Sequence, residues 1–196
     1  MLLSILIPSV FERDPSELFN KLLAQIGDEP VELLVLTDNR QRSTGLKRQA
    51  LLSMSKGRFI THMDDDDMVS DDYIGEILKA IRENPNADVI VFNEESTLNG
   101  ENPFVVRPGI EYDNEGVHKE DGVWVDIKRK PWHWCVWHRG LAVQASFPDG
   151  YIDDDWYWVR ELLPKVKLQH RIDKVLRYYR QNSKTSLSQQ GEPTVT

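Results

Sequence analysis

Two short apolar runs near the start of the chain restrict the fold more than any other feature. Residues 3–7 and 31–36 are strand-length, yet neither alternates cleanly with polar residues. A strand with one wet face alternates, whereas a strand covered on both faces reads as continuous hydrophobe. Between the runs lies a stretch of helical spacing, 16–25, with Leu18, Leu22 and Leu23 on one side and Ser16 placed to cap it. The alternation continues. Residues 44–55 predict a second helix with Gly57 as its breaker, and 58–63 a third strand. Ser70 should cap a third helix with Tyr73, Ile74, Ile77, Leu78 and Ile81 on its apolar face, and 89–92 is a fourth strand. The order β-α-β-α-β-α-β predicts an α/β fold with a mostly parallel sheet flanked by helices.

In such a sheet, ligands bind beyond the carboxyl ends of the strands. Asp38 and the run Asp64-Asp65-Asp66-Asp67 both fall at such ends. Four adjacent carboxylates repel one another, and a hard divalent cation, Mg²⁺ or Mn²⁺, would relieve that repulsion. On an extended backbone Asp64 and Asp66 point one way while Asp65 and Asp67 point the other. A solvated acidic loop ahead of a helix is the plainer alternative.

Beyond residue 92 the pattern weakens. Residues 93–122 are rich in Gly, Pro, Asn and Glu and read as a long loop or lid. Strands are predicted at 123–127, 132–137 and 175–179, a turn at 148–150 and a helix at 154–162. One domain over 1–182 is expected, in two halves, 1–92 and 93–182, with 183–196 as a tail that is frayed or ordered only on binding.

A second acidic cluster, Asp153-Asp154-Asp155, opens the last helix. It suits helix capping or, functionally, a general base whose pKa neighbouring acids and partial burial would raise. Lys47 and Arg48 can balance a diphosphate or lie solvated on their helix. His62, His133, His138 and His170 have no metal-binding spacing; each reads as packing or surface, with His138 the best placed to face a substrate. Most of the six tryptophans read as core, with one or two lining a groove. Cys135 reads as an inert buried thiol.

A net charge of -8 disfavours a broad grip on a nucleic-acid backbone. A single cysteine, no secretion leader and no membrane-spanning run fit a cytoplasmic protein. The missing phosphate-loop and dinucleotide fingerprints weaken the kinase, NTPase and oxidoreductase readings.

The ordered series of motifs resembles the family-2 glycosyltransferases, whose fold is termed GT-A. Residues 4–9 are similar to the family's opening strand and nucleotide-contacting loop, which implies donor contacts at Pro8 and Ser9. Residues 31–39 resemble its second strand, ending in an aspartate, here Asp38, that contacts the base. Residues 45–49 with 55–60 resemble the helix and the approach to the metal strand. Residues 63–67 resemble its metal signature, which implies Asp64 and Asp66 as metal ligands, Asp67 as a possible replacement, and Asp64, Asp65 and Arg48 on the donor. Residues 147–156 resemble the segment that carries the base, implying Asp155 in that role with Asp154 beside it, and 175–180 resemble the closing strand. Thr37 departs from a common aspartate pair, and Val10-Phe11 from a common Tyr-Asn pair.

The resemblance implies a nucleotide-binding half at 1–92, an acceptor and catalytic half at 93–182, and metal-dependent, inverting transfer from a nucleoside-diphosphate sugar, with a UDP-sugar as the expected donor, to an acceptor hydroxyl, with Trp134, His138 and Trp156 on the acceptor. Carbohydrates, lipids, proteins and modified nucleic-acid bases all stay open as acceptors. A nucleotidyltransferase releasing pyrophosphate and a non-catalytic nucleotide-sugar or carbohydrate-binding module are the rival readings.

Overall fold

The computed structural model describes residues 1–112, 116–120 and 123–181. The expected tail at 183–196 lies outside the described residues. Strand β1 (Leu3–Val10) runs parallel to β2 (Val31–Asp38) on one side and to β3 (Phe59–His62) on the other. The β1-to-β2 and β2-to-β3 crossovers, through α1 (Ser16–Ile26) and α2 (Thr44–Met54), therefore run in opposite directions along the sheet. Right-handed crossovers then put α1 and α2 on opposite faces, which explains why β1 reads as continuous hydrophobe. The direction reverses between β1 and β3, so a crevice opens at their carboxyl ends.

The chain continues through β4 (Met68–Val69) and α3 (Tyr73–Glu83), which lies against α1. Tyr73, Ile74, Ile77, Leu78 and Ile81 are buried, as their spacing predicts. The four aliphatic side chains each contribute about 1.5–3 kcal/mol by leaving water. The helix starts differently from expectation: Ser70 does not cap it, and its hydroxyl donates to Asp72. At α1, Asp14 accepts from the Ser16 amide, so Ser16 is not the cap either.

The largest departure lies at 93–122. In place of a loop, β5 (Val89–Leu98) and β6 (Glu101–Pro108) form an antiparallel hairpin, followed by β7 (Gly116–Glu120). The hairpin turns on Asn99-Gly100, both with positive φ, the two-residue turn that suits twisted strands. The hydrophobic pattern fails there because Asn93, Glu94 and Ser96 are buried polar residues. Strand β8 (Val123–Arg129) pairs with β6 and β7. The strand expected at 132–137 is reduced to β9 (Val136–His138), since 132–135 closes a turn through the Cys135 amide to the Trp132 carbonyl.

The short helices α4 (Arg139–Ala142) and α5 (Asp154–Leu162) precede β10 (Gln169–Gln181), which runs parallel to β5 along its length and antiparallel to β4. Strands β9, β6 and β7 add antiparallel pairings to the parallel core, so the sheet is mixed but mostly parallel. Among the described residues no helix is long and apolar enough to cross a membrane.

Candidate active site

A cavity of about 370 Å³ opens at the carboxyl ends of β1 and β3. The four aspartates do not continue the β3 strand. They form a turn closed by the Asp67 amide to the Asp64 carbonyl. The alternation expected of an extended backbone therefore fails: Asp64, Asp65 and Asp66 all line the cavity, and Asp67 turns into the floor.

Each carboxylate has a cation. Arg48 Nη2 donates to Asp64 (2.7 Å), Arg13 donates to Asp65 and lies 3.1 Å from Asp66, and Arg177 donates to Asp67 through both Nε (2.9 Å) and Nη2 (2.6 Å). Much of the expected repulsion is thus relieved by arginines from three other segments. Burial works against ionisation at Asp64, yet Arg48, His133 and Arg177 hold it well below the carboxylate range. At Asp66 burial and the Asp64 charge outweigh Arg13 and raise the pKa. Asp67, wholly buried, is lifted to about 7 by burial, against the pull of Arg177. Asp67 pairs with Arg177 and, unlike the other three aspartates, does not line the cavity.

Helix α2 supplies the cationic wall because its buried face is polar. Ser43 caps it by accepting from the Leu46 amide (3.2 Å). Lys47 reaches the Ser9 carbonyl (2.7 Å) and Asp38 (2.5 Å). Arg48 bridges Asp64 and Asp154, each at 2.7 Å, so one guanidinium ties the β3 end to the α5 start. Neither residue is a solvated surface cation. Asp38 stands behind the wall: its oxygens accept from the Arg40 and Arg42 amides and from Lys47, and it does not line the cavity.

The second cluster reaches the cavity because α2 clamps the segment before it. The Gly45 amide donates to the Gly150 carbonyl (3.0 Å), the Gly150 amide to Ser43 Oγ (3.2 Å), and the Phe147 amide to Gln49 Oε1 (3.0 Å). A Cβ on Gly45 would lie 1.9 Å from the Pro148 carbonyl oxygen, so only glycine allows this approach. Below it, Trp158 stacks on Phe147 (4.8 Å) and meets His62 and Trp137 edge-on, anchoring α5.

At the start of α5, Asp155 Oδ2 accepts from Trp132 Nε1 (2.9 Å). His133 Nδ1 lies equally close to the same oxygen, poorly aligned for a hydrogen bond. Burial disfavours the Asp155 charge, but His133 and Arg48 outweigh it and lower the pKa, opposite to the expected upward shift. Asp154 behaves as expected: burial raises it against Arg48. The acidic trio does not cap the helix through Asp153, whose φ is 60° and whose side chain caps nothing.

Of the other residues singled out from sequence, Pro8, Ser9, Arg48 and Trp134 line the cavity. Trp156 stands beside it, stacked on Trp132 at 5.5 Å and 38% exposed. His138 is absent from it: β9 runs antiparallel to β3 and pairs His138 with Phe59, at the end of β3 remote from the aspartates. His133 is the histidine of the cavity. Sequence reasoning also passed over Arg13, Glu94, Tyr151 and Tyr179, all of which line it. Glu94 accepts from Arg177 and from Ser96 Oγ (2.7 Å), the polar partner that a buried strand arginine such as Arg177 requires.

Among the described residues no three His, Cys, Asp or Glu side chains converge as a closed metal cage. A Mg²⁺ site needs less, since it is commonly completed by one or two carboxylates with substrate phosphates. The carboxylates of Asp64 and Asp66 offer hard oxygen atoms that would suit such an ion, and Asp66 is 42% exposed with an unfavourable charge.

Residues 12–107 match the sequence model of the family described as Glycosyl transferase family 2, just under half of the chain. No curated protein matches the sequence. Among solved structures, S. aureus TarS superposes with a TM-score of 0.67 at 17% identity, covering 92% of this chain and 37% of that one. TarS 1-349 in complex with UDP-GlcNAc gives 0.66 at 15% identity, covering 92% and 59%. TarS 1-349 in complex with UDP gives 0.63 at 16%, covering 93% and 61%. The chain thus spans roughly three-fifths of the length of the TarS 1-349 structures that it matches. These likenesses show a GT-A-like glycosyltransferase fold.

Proposed function

We propose that the cavity transfers a sugar from a nucleoside-diphosphate sugar to an acceptor hydroxyl, with inversion at the anomeric carbon. The observation that carries this reading is the Arg48 bridge, which holds Asp64 at the β3 end and Asp154 at the α5 start around one opening. The donor side is formed by Pro8, Ser9, Lys47, Arg48 and the aspartates, where cations balance a diphosphate. The UDP and UDP-GlcNAc complexes of TarS support a UDP-sugar as donor.

Asp64 and Asp66 would hold a divalent ion, Mn²⁺ or Mg²⁺, which when bound supplies Lewis-acid stabilisation to the departing diphosphate. Asp155 accepts the acceptor's proton as the hydroxyl oxygen bonds to the anomeric carbon from the face opposite the nucleotide. Trp132 and His133 keep that carboxylate ionised and oriented, which is its base form. Asp154 holds Arg48 in line rather than meeting the acceptor. Trp156, 38% exposed beside the cavity and stacked on Trp132, bounds the acceptor side with an aromatic surface suited to a sugar, and the nearly buried Trp134 completes the lining.

The test is calorimetry of UDP-GlcNAc and other nucleotide sugars with Mn²⁺ present and absent, followed by product analysis. Metal-dependent donor binding and release of nucleoside diphosphate are expected. Pyrophosphate release would instead establish a nucleotidyltransferase, and donor binding without turnover a binding module. No binding of any nucleoside diphosphate or its sugar would sink the proposal.

A further inference from the structure

Arg13, Lys47, Arg48 and Arg177, four of the basic side chains that line the cavity, are not held alike. The side chains of Lys47, Arg48 and Arg177 are 4%, 6% and 3% exposed, and each is held by at least two fixed partners on regular elements or strand ends. Arg13 is 29% exposed. It sits in the turn after β1, where its backbone is held by a single amide bond to the Val10 carbonyl (3.2 Å), between the exposed Phe11 and the start of α1. Its guanidinium is nonetheless drawn to Asp65 and Asp66 and feels Asp64 as well. Of these four, Arg13 is therefore the one that can leave the acidic run.

We infer that Arg13 is a resident cation of this cleft, anchored on Asp65 and competing at Asp66 with a divalent ion held by Asp64 and Asp66, and that it yields Asp66 to bind the donor's diphosphate. This rests on the reading of the cavity as a nucleotide-sugar site. A divalent ion at Asp64 and Asp66 would sit beside a guanidinium of like charge, and rotation of one long side chain separates them without moving the strand. The displaced guanidinium stays in the same cavity, where a diphosphate offers the paired oxygens that its planar fork favours. The acidic run is thus neutralised in the empty protein, and donor with metal restores the balance after the exchange.

The experiment titrates Mn²⁺ alone into the full chain, wild type and Arg13→Gln, followed calorimetrically without nucleotide. Folding of each protein is checked by thermal melting in chelator. Arg13→Gln is expected to bind Mn²⁺ about tenfold more tightly, because the competitor is gone, whereas Arg13→Lys, which keeps the charge, stays near wild type. With Mn²⁺ saturating, UDP should bind Arg13→Gln about tenfold more weakly than wild type. Mn²⁺ affinity in Arg13→Gln equal to or below that of wild type, equal gains in Gln and Lys variants, or no Mn²⁺ binding to any of them overturns the inference, even where UDP binds. A wild type that binds no UDP overturns the nucleotide-sugar reading instead, and does so in a separate titration.

Discussion

Gly45→Ala offers a sharp test of how the cavity is assembled. The added methyl would sit 1.9 Å from the Pro148 carbonyl oxygen and 3.1 Å from the Asp154 Cβ. Ordinary contact begins near 3.4 Å, so the Pro148 segment and α2 must separate by 3.4 − 1.9 = 1.5 Å. Neither neighbour is a flexible side-chain end; one is backbone and the other is the root of a site residue. That displacement acts directly on the 2.7 Å Arg48–Asp154 contact and, one residue on, on Asp155. Overpacking of this kind costs about 1–3 kcal/mol of stability. A shift of this size in a reacting group costs about a hundredfold in rate. The assay is the initial rate of UDP release with the preferred donor, beside urea melting and calorimetric donor affinity. The rate is expected to fall more than donor affinity, since Ser9 and Asp65 lie on segments away from the clash, whereas Lys47 and Arg48 share α2 with Gly45 and shift with it. A variant with wild-type stability and rate within about twofold would refute the claim that this close approach positions the acidic pair.

Asp155→Asn should lower transfer by about 10²–10⁴-fold in protein that melting shows to be folded, and wild-type transfer in the folded variant would remove Asp155 as the base. Arg177→Met strands the buried Asp67 and Glu94, so chemical denaturation should show a loss of roughly 3–5 kcal/mol; a loss under about 1 kcal/mol would mean the pair is not held as described. Glu32 accepts from Ser4 Oγ and the Lys56 amide, and these bonds outweigh burial to lower its pKa below 4.5. Its contribution is present above 4.5 and is lost as pH falls through the lower folded value, so Glu32→Gln should flatten the acid limb of the stability curve; an unchanged limb would exclude it. Trp132→Phe keeps the ring but removes the indole donor to Asp155, and should reduce kcat more than it changes donor KM.

The first ninety residues were legible because periodicity reports burial, and burial there follows regular elements. The second half was less so, for identifiable reasons. At 93–98 the strand carries Asn93, Glu94 and Ser96 inward, so its pattern looks like loop although Asn99-Gly100 was a hairpin signal in plain view. The choice of His138 over His133 turned on chain direction, which spacing does not encode: an antiparallel β9 sends one histidine to each end of β3. Arg177 could have been flagged as an arginine within an apolar strand, a residue that requires a buried acid. The acidic stations Asp64–Asp66 and Asp154–Asp155 were readable by position, but the arginines that hold them were not, since each comes from a distant segment.

That pairing of acids through shared arginines has a consequence for genetics. Arg48 joins Asp64 to Asp154, Arg177 joins Asp67 to Glu94, and Arg13 joins Asp65 to Asp66. Truncating one acid of the Arg48 or Arg177 pair takes away part of the hydrogen bonding that holds a buried guanidinium and leaves N–H groups without a partner. A mutational scan scored by growth or bulk activity would therefore mark every acid of these pairs as essential, proton-transfer group and scaffold alike. Charge-reversing double replacements, acid and arginine exchanged together, would sort them: a scaffold pair tolerates the swap in part, and a group that meets the substrate does not.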